Sequence, residues 1–314
     1  MLSRTAENLY WLARYVERAE YLARTIDATL RLTALPVAYV GQTNEWESAL
    51  LTAGVSHAFF QAYEEATEAN VLEYLAFAPS NPSSIRNCVA AARLNARAVR
   101  TALTSEMWDT INGAWLELQG VWNKGTRSRE DLAAFLRFVQ ETSLRFDGSA
   151  YRTMLRNDAY WFSRLGVHLE RADNTARILD VKYHVLLPAQ EHVGGRLDFY
   201  QWRSILRSVS AQTAYHWVYR ETLKPWLIAD LLILNDSLPR SLASCYGNLV
   251  RNLDHIGVAY GYQGPAQRHA RCIRNRLEHS NMDDIFQHGV HEFVQAFIAD
   301  NSRLGEMVTK QYLI

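Results

Sequence analysis

Glu17-Arg18-Ala19-Glu20, followed by Ala23-Arg24 and Asp27, returns as Glu170-Arg171-Ala172-Asp173, followed by Ala176-Arg177 and Asp180. Matching positions are 153 residues apart and every internal spacing is kept. A second echo, Pro82-Ser83-Ser84-Ile85 with Cys88, recurs as Pro239-Arg240-Ser241-Leu242 with Cys245, 157 residues on. Two echoes at nearly one offset indicate a duplicated helical unit.

At about 100° per residue, Glu17, Glu20, Arg24 and Asp27 fall within an arc of roughly 80° on one side of a helix. Leu12, Val16, Ala19, Ala23, Ile26 and Leu30 form an apolar stripe beside them, the face expected to turn inward. The second copy repeats the arrangement, with Leu165, Leu169, Ala172, Ala176, Leu179 and Tyr183 flanked by Glu170, Asp173, Arg177 and Asp180. Carboxylates at the border of a core must find cations or hydrogen-bond donors, because leaving them unpaired costs several kcal/mol. Arg24 and Arg177 are the nearest partners along the chain.

The 314 residues are 48% hydrophobic and carry a formal net charge of zero, so a large core is expected and no global field recruits nucleic acid or an anionic membrane. Of 33 cationic side chains only Lys124, Lys182, Lys224 and Lys310 are lysine. The arginines suit planar carboxylate or phosphate contacts, although genomic base composition gives the same bias. Met1 to Asn8 holds no basic segment leading into an apolar run, and no stretch reaches the roughly 18 apolar residues of a membrane span. Three widely spaced cysteines, Cys88, Cys245 and Cys272, fit reduced thiols and a cytoplasmic location. Cys88 and Cys245 read as small core residues, since no histidine or acid recurs beside both.

Helical periodicity dominates, and the expected fold is all-α, with two pseudo-repeated helical bundles packed into one compact unit, residues 1–150 and 151–314, joined near Phe146 to Arg152. Ser3 or Thr5 is expected to cap a first helix that runs to Thr33 before Pro36. Helices are expected over 45–52, 56–67, 69–77, from Pro82 to 103, over 105–124, and over 129–146, where Gly148 breaks the last. The second half reads as a long helix over 157–186, a loop over 187–196, helices over 197–220 and 223–234, the Pro239 helix, and two more over 266–281 and 283–311. The halves are not identical: Tyr10-Trp11 lies six residues before Glu17, whereas Tyr160-Trp161 lies nine before Glu170.

If the two long helices pack together, Glu17, Glu20, Glu170 and Asp173 converge. A di-metal bundle uses such acids, but with Glu-x-x-His pairs. Here an arginine follows each second acid by four residues, and His168 points to another side. An ion-pair lattice is the first reading, a site for an amine, phosphate or peptide end the second, and a metal the last. His288, His291 and Glu292 have the wrong order for a zinc helix, and no phosphate loop or nucleophile elbow occurs. No cofactor or metal is therefore implied. Arg93, Asn95, Arg97 and Arg100 make a basic face on the Pro82 helix, expected to pair with Glu106, Glu73 or the acids of the Glu-Arg helices; an anion or nucleotide-bearing partner is the alternative. Trp108, Trp115 and Trp122, seven residues apart, read as core. The candidate site comprises Arg14, Glu17, Arg18, Glu20, Arg24, Asp27, Arg93, Asn95, Arg97, Glu106, Glu170, Arg171, Asp173, Arg177 and Asp180.

Leu2-Ser3-Arg4, Ala6-Glu7-Asn8-Leu9-Tyr10-Trp11, Arg14 and the first Glu-Arg motif resemble the alpha-E family, bacterial all-helical proteins named for a Glu-Arg motif. The likeness extends through Ser84-Ile85 with Cys88, Ala92-Arg93 with Asn95-Ala96-Arg97, Ser105-Glu106-Met107-Trp108 with Asn112, Tyr160-Trp161, the second Glu-Arg, and Pro239-Arg240-Ser241. The stretched spacing before the second motif means that a role for the first-copy aromatics carries over poorly. The resemblance implies a component of a peptide-forming or peptide-modifying system. Relatives are encoded beside, or fused to, circularly permuted ATP-grasp proteins resembling amide or peptide ligases, often with transglutaminase-like proteases and a proteasome-like peptidase nearby. It supplies no catalytic residue.

Three functions follow as expectations. The first is a non-catalytic helical partner of an ATP-grasp ligase, or a subunit presenting its peptide substrate. An enzyme using Glu17/Glu20 and Glu170/Asp173 as general acid and base in a cleft is the second. A purely structural scaffold is the third.

Overall fold

The computed structural model describes residues 1–34, 44–124, 128–184 and 196–313, and all regular structure among them is helical. The first half holds α1 (Ser3–Thr33), α2 (Glu45–Thr52), α3 (Ser56–Phe60), α4 (Glu68–Leu72), α5 (Ile85–Ala98), α6 (Ser105–Lys124) and α7 (Arg129–Thr153). The second holds α8 (Asp158–His184), α9 (Arg196–Ser208), α10 (Gln212–Tyr219), α11 (Pro225–Ile233), α12 (Leu242–Tyr260), α13 (Pro265–His279), α14 (Met282–His288) and α15 (Val290–Val308). Single π-helical turns follow α4 and α15. No helix among the described residues is long and apolar enough to cross a membrane.

The organising pair is α1 against α8, and the two run in the same direction, since Tyr10 meets Gly166 and Glu17 meets Arg171 one to two turns later. Small residues set their separation. A Cβ at Gly166 would lie 2.2 Å from the Tyr10 carbonyl oxygen and 3.2 Å from the Ala13 Cβ, so the backbones touch where a side chain would stand. Ala13 and Gly166 are themselves matching positions of the two motif copies. Around this pair, α5 and α7 flank α1, while α12 and α15 flank α8. As a result α1 is buried on most of its circumference rather than along one stripe. One apolar cluster draws on residues from Ala6 to Leu313, and a second is confined to residues between Ala19 and Val139.

The echoed Pro-x-Ser segments do one local job twice. Ser84 accepts the Asn87 N–H at the start of α5, and Ser241 accepts the Ser244 N–H at the start of α12. Both N-cap serines are fully buried. The helices begin after these caps, so Pro82 precedes its helix instead of occupying the first turn. At the start of α1 the N-cap is Leu2, without a side-chain cap, in place of Ser3 or Thr5.

Several boundaries differ from those expected. The 56–67 helix stops at Phe60, and Tyr63 folds back to stack on Phe59. The expected helix over 197–220 divides at Ser210, whose φ of 55° is left-handed and whose hydroxyl accepts a bond from Arg24 Nη1. The last one divides at Gly289, where φ is 99°. Conversely, α7 runs straight through Gly148 to Thr153, so the expected joint at 146–152 is helical and the chain turns at 154–157. Pro36 and most of the 187–196 loop lie outside the described residues.

The two glycines make opposite predictions. A Cβ at Gly148 meets nothing within 4 Å, so Gly148→Ala should raise stability by about 0.5–1 kcal/mol through helix propensity. Gly166→Ala must push α1 from α8 and should lower stability by more than about 2 kcal/mol. Denaturant unfolding of both variants measures this, and equal effects would refute the tight crossing.

Candidate functional site

One turn beyond the crossing, the two Glu-Arg motifs bind each other reciprocally. Arg171 donates from Nε and Nη2 to the two oxygens of Glu17, both at 2.8 Å. Arg18 donates to the two oxygens of Glu170, from Nε at 2.5 Å and from Nη2 at 3.1 Å. The glutamate of each helix is thus gripped by the arginine that follows the glutamate of the other. Forked pairs of this kind are the strongest and most directional that protein side chains make. Glu17 and Glu170 are each only 3% exposed. Even the neighbouring thiols match: Cys88 feels Arg18 and Cys245 feels Arg171.

The surroundings of the two pairs differ. Arg240 donates to Glu17 at 2.9 Å and to Glu20 at 2.7 Å, while Ser143 of α7 donates to Glu20 at 2.8 Å and Arg24 closes the group at 2.7 Å. On the other side Ser83 occupies the position equivalent to Arg240, and its hydroxyl accepts from Arg18 Nη1 at 3.4 Å. Glu170 instead takes a second guanidinium, Arg14 Nε at 2.7 Å. Asp173, shorter by one methylene than Glu20, holds Arg177 at 2.7 Å.

Burial alone would raise the Glu17 carboxyl, but Arg171 and Arg240 outweigh it and hold the group down at about 2. Burial is likewise overcome at Glu170 by Arg18 and Arg14, again to about 2. His168 is driven the opposite way: burial, then Arg164 and Arg171, keep it neutral well below its usual range. Burial pushes the Cys88 and Cys245 thiols up to about 12, so both stay protonated and serve as small core residues.

Beside the Glu170 pair lies a cleft of about 450 Å³. Trp11, Arg14 and Arg18 come from α1, Asp173 and Arg177 from α8, and Asn301, Glu306 and Lys310 from α15 and the turn after it. Gly305 lets α15 come close at the floor, since a Cβ there would meet Leu169 at 3.2 Å. Arg14 gives Nε to Glu170 and Nη1 to the Tyr10 hydroxyl at 3.1 Å, leaving Nη2 without a protein partner among the described residues. Its guanidinium also lies over the Trp11 ring, 4.8 Å from the centroid.

Of the candidate residues, Arg14, Glu17, Arg18, Glu20, Arg24, Glu170, Arg171, Asp173 and Arg177 gather at this lattice. The rest do not. Asp27 pairs with Arg31 on the outside at 3.0 Å, and Asp180 turns to His291 at 2.8 Å and Gln295 at 2.7 Å. Asn95 bonds back to the Ala91 carbonyl, while Arg97 and Glu106 are exposed. Among the described residues, no acid pairs with the basic face of α5. Arg93 donates to Asn112 at 3.0 Å, and Arg86, Arg93 and Arg100 sit over Trp122, Trp115 and Trp108 at 5.5, 5.7 and 5.2 Å. These tryptophans are half-buried, packed against the edge of the core on one side and forming the rungs of an antiparallel ladder on the other. Matching seven-residue spacings of arginine and tryptophan were the signal for it. Arg240 from the turn before α12, Ser143 of α7 and Lys310 from the turn after α15 join the site from distant parts of the chain, and only Arg240 had a local sign, its place in the Pro-x-Ser echo. The displaced aromatics diverge as well: Tyr10 is buried against Arg14, whereas Tyr160 lies under Arg156 and Trp161 stacks on His255.

Glu17 and Glu170 are held near 2 in the fold against 4.5 when unrestrained, so their contribution is complete above pH 4.5 and disappears as pH falls through 2. On the order of 3 kcal/mol per carboxylate should be lost across that window, and the acid-unfolding curve of Glu170→Gln should be flatter there than that of the parent. Removing one partner is costlier than removing both. Glu17→Gln should destabilise by about 3 kcal/mol, and adding Arg171→Gln should cost less than the two single changes together, as a double-mutant cycle measures. Additivity would show that the pair is not coupled.

A family model matches residues 1–313, that of Alpha-E, a predicted alpha-helical domain with a conserved ER motif. No curated protein and no solved structure matches the chain. The helices, the reciprocal pairing of both Glu-Arg dipeptides and this match over the whole chain agree: the protein belongs to the Alpha-E family.

Proposed function

We propose that this chain is a non-catalytic binding subunit of a peptide- or amide-forming system, and that it docks with or presents peptide substrate to a circularly permuted ATP-grasp ligase. The observation that carries the reading is the state of the acids. Glu17 and Glu170 are held near 2 by forked guanidiniums, and a general acid or base needs a pKa near the operating pH. Such carboxylates fix arginines in space; they do not move protons. What they fix is the wall of a cleft large enough for a small organic ligand. The ligase partnership, and with it a bacterial cytoplasmic setting, is supported by the resemblance to alpha-E proteins and their ATP-grasp neighbours.

Co-purification with the ATP-grasp protein encoded nearest the gene tests the proposal. A stable complex and a change in ligase turnover on adding this chain are expected. Arg177→Gln, on the half-exposed wall of the cleft, should reduce that change while leaving the melting temperature within about 2 °C of the parent. Absence of a complex together with an unaltered ligase rate would overturn it.

A further inference from the structure

We infer that the cleft beside Glu170 receives a terminal carboxylate, that of a short peptide or free amino acid, on Arg14, Arg177 and Lys310. This deepens the binding role proposed above but does not depend on which partner the chain has.

The lattice contains six guanidiniums, Arg14, Arg18, Arg24, Arg171, Arg177 and Arg240, against four carboxylates, Glu17, Glu20, Glu170 and Asp173. A surplus of cations in a largely buried setting is costly unless an anion completes it. The two sides of the lattice are also unequal. At Glu17 the space is filled by protein, with Arg240 and Ser143 bonded into the group. At Glu170 an open cleft adjoins the pair, with Arg14, Arg18 and Asp173 in its wall, and Ser83, at the position matching Arg240, does not reach the carboxylate. Arg14 Nη2 has no protein partner among the described residues, and Lys310 adds a further exposed cation at the rim.

The ligand class follows from the same side chains. A guanidinium fork matches the planar carboxylate group. Asp173 and Glu306 on the same walls oppose a multiply charged phosphate while offering a place for an ammonium group, the other end of an amino acid. A volume of about 450 Å³ accommodates one or two residues. A second hollow, about 410 Å³ beside α12 and α13, lacks this imbalance: Arg251 and Arg274 face Asp236 and Glu278, and Arg274 is already bonded to Glu278.

Nuclear magnetic resonance of the full chain labelled with ¹⁵N tests the inference, using L-alanyl-L-alanine, its C-terminal amide and inorganic phosphate as probes. The dipeptide should shift the Trp11 indole signal saturably, and the amide and phosphate should not. Arg177→Gln combined with Lys310→Gln should weaken dipeptide binding at least about tenfold with melting unchanged. Lys310→Gln alone, at an exposed position, gives a smaller loss and keeps the test valid if the double variant misfolds. Equal shifts from the amide, tighter binding of phosphate, unchanged binding by the variants, or no saturable shift by the dipeptide would each overturn it. A dipeptide that fails to bind while the ligase complex still forms removes this inference and leaves the proposed function standing.

Discussion

The reciprocal exchange of Glu17 with Arg171 and of Glu170 with Arg18 is the constraint on which this fold turns. Ion pairs this deeply buried add little net stability compared with apolar side chains of the same size, because removing both partners from water costs nearly as much as their attraction returns. Mismatching them is another matter. A slide of α1 along α8 by one turn would strand four charges without partners, so the pairs fix register more than they add energy. The small residues at Ala13 and Gly166 bring the two backbones close enough for these side chains to meet.

From that frame the asymmetry of the site follows. A duplicated motif supplies two equivalent positions, and single replacements differentiate them. Arg240 and Ser143 complete one side as part of the fold. The other side adjoins an open cleft, which α15 approaches through Gly305 and Asn301 without closing it. Asn301 is itself anchored at both ends, giving its amide to the Leu169 carbonyl and accepting from Tyr246. The open side is thus bounded by side chains whose positions are set by other bonds, a favourable arrangement for recognition.

The all-helical character and the extents of α1, α2 and α6 were legible from periodicity, because those segments are long or sharply bounded. Breaks that depend on backbone conformation rather than pattern were not: Ser210 adopts a left-handed conformation held by Arg24 from a helix distant in sequence, and Gly148 continues a helix because packing around Phe146 and Ala150 overrides its poor propensity. At the site, the repeated dipeptide pointed to side chains that do converge, but local spacing suggested the wrong partners for two of them. Arg24 and Arg177 do bind acids, one turn away on their own helices. Glu17 and Glu170 are satisfied across the interface, where no local spacing reports it. Asp27 and Asp180 share the helical arc of the motif yet lie beyond the crossing, where the diverging helices no longer face each other.

Because α1 and α8 are parallel, the strongest contacts of the amino-terminal helix are with residues made much later. Glu17 finds Arg240 across 223 positions of chain. At roughly 5–20 residues per second of synthesis, α1 emerges from the ribosome some tens of seconds or less before that partner exists. During that interval α5 and α7 can already pack on α1, but the face that α8 covers stands exposed and Glu17 lacks both Arg171 and Arg240. The buried charges of the first helix are therefore completed only once the second half of the chain has been made.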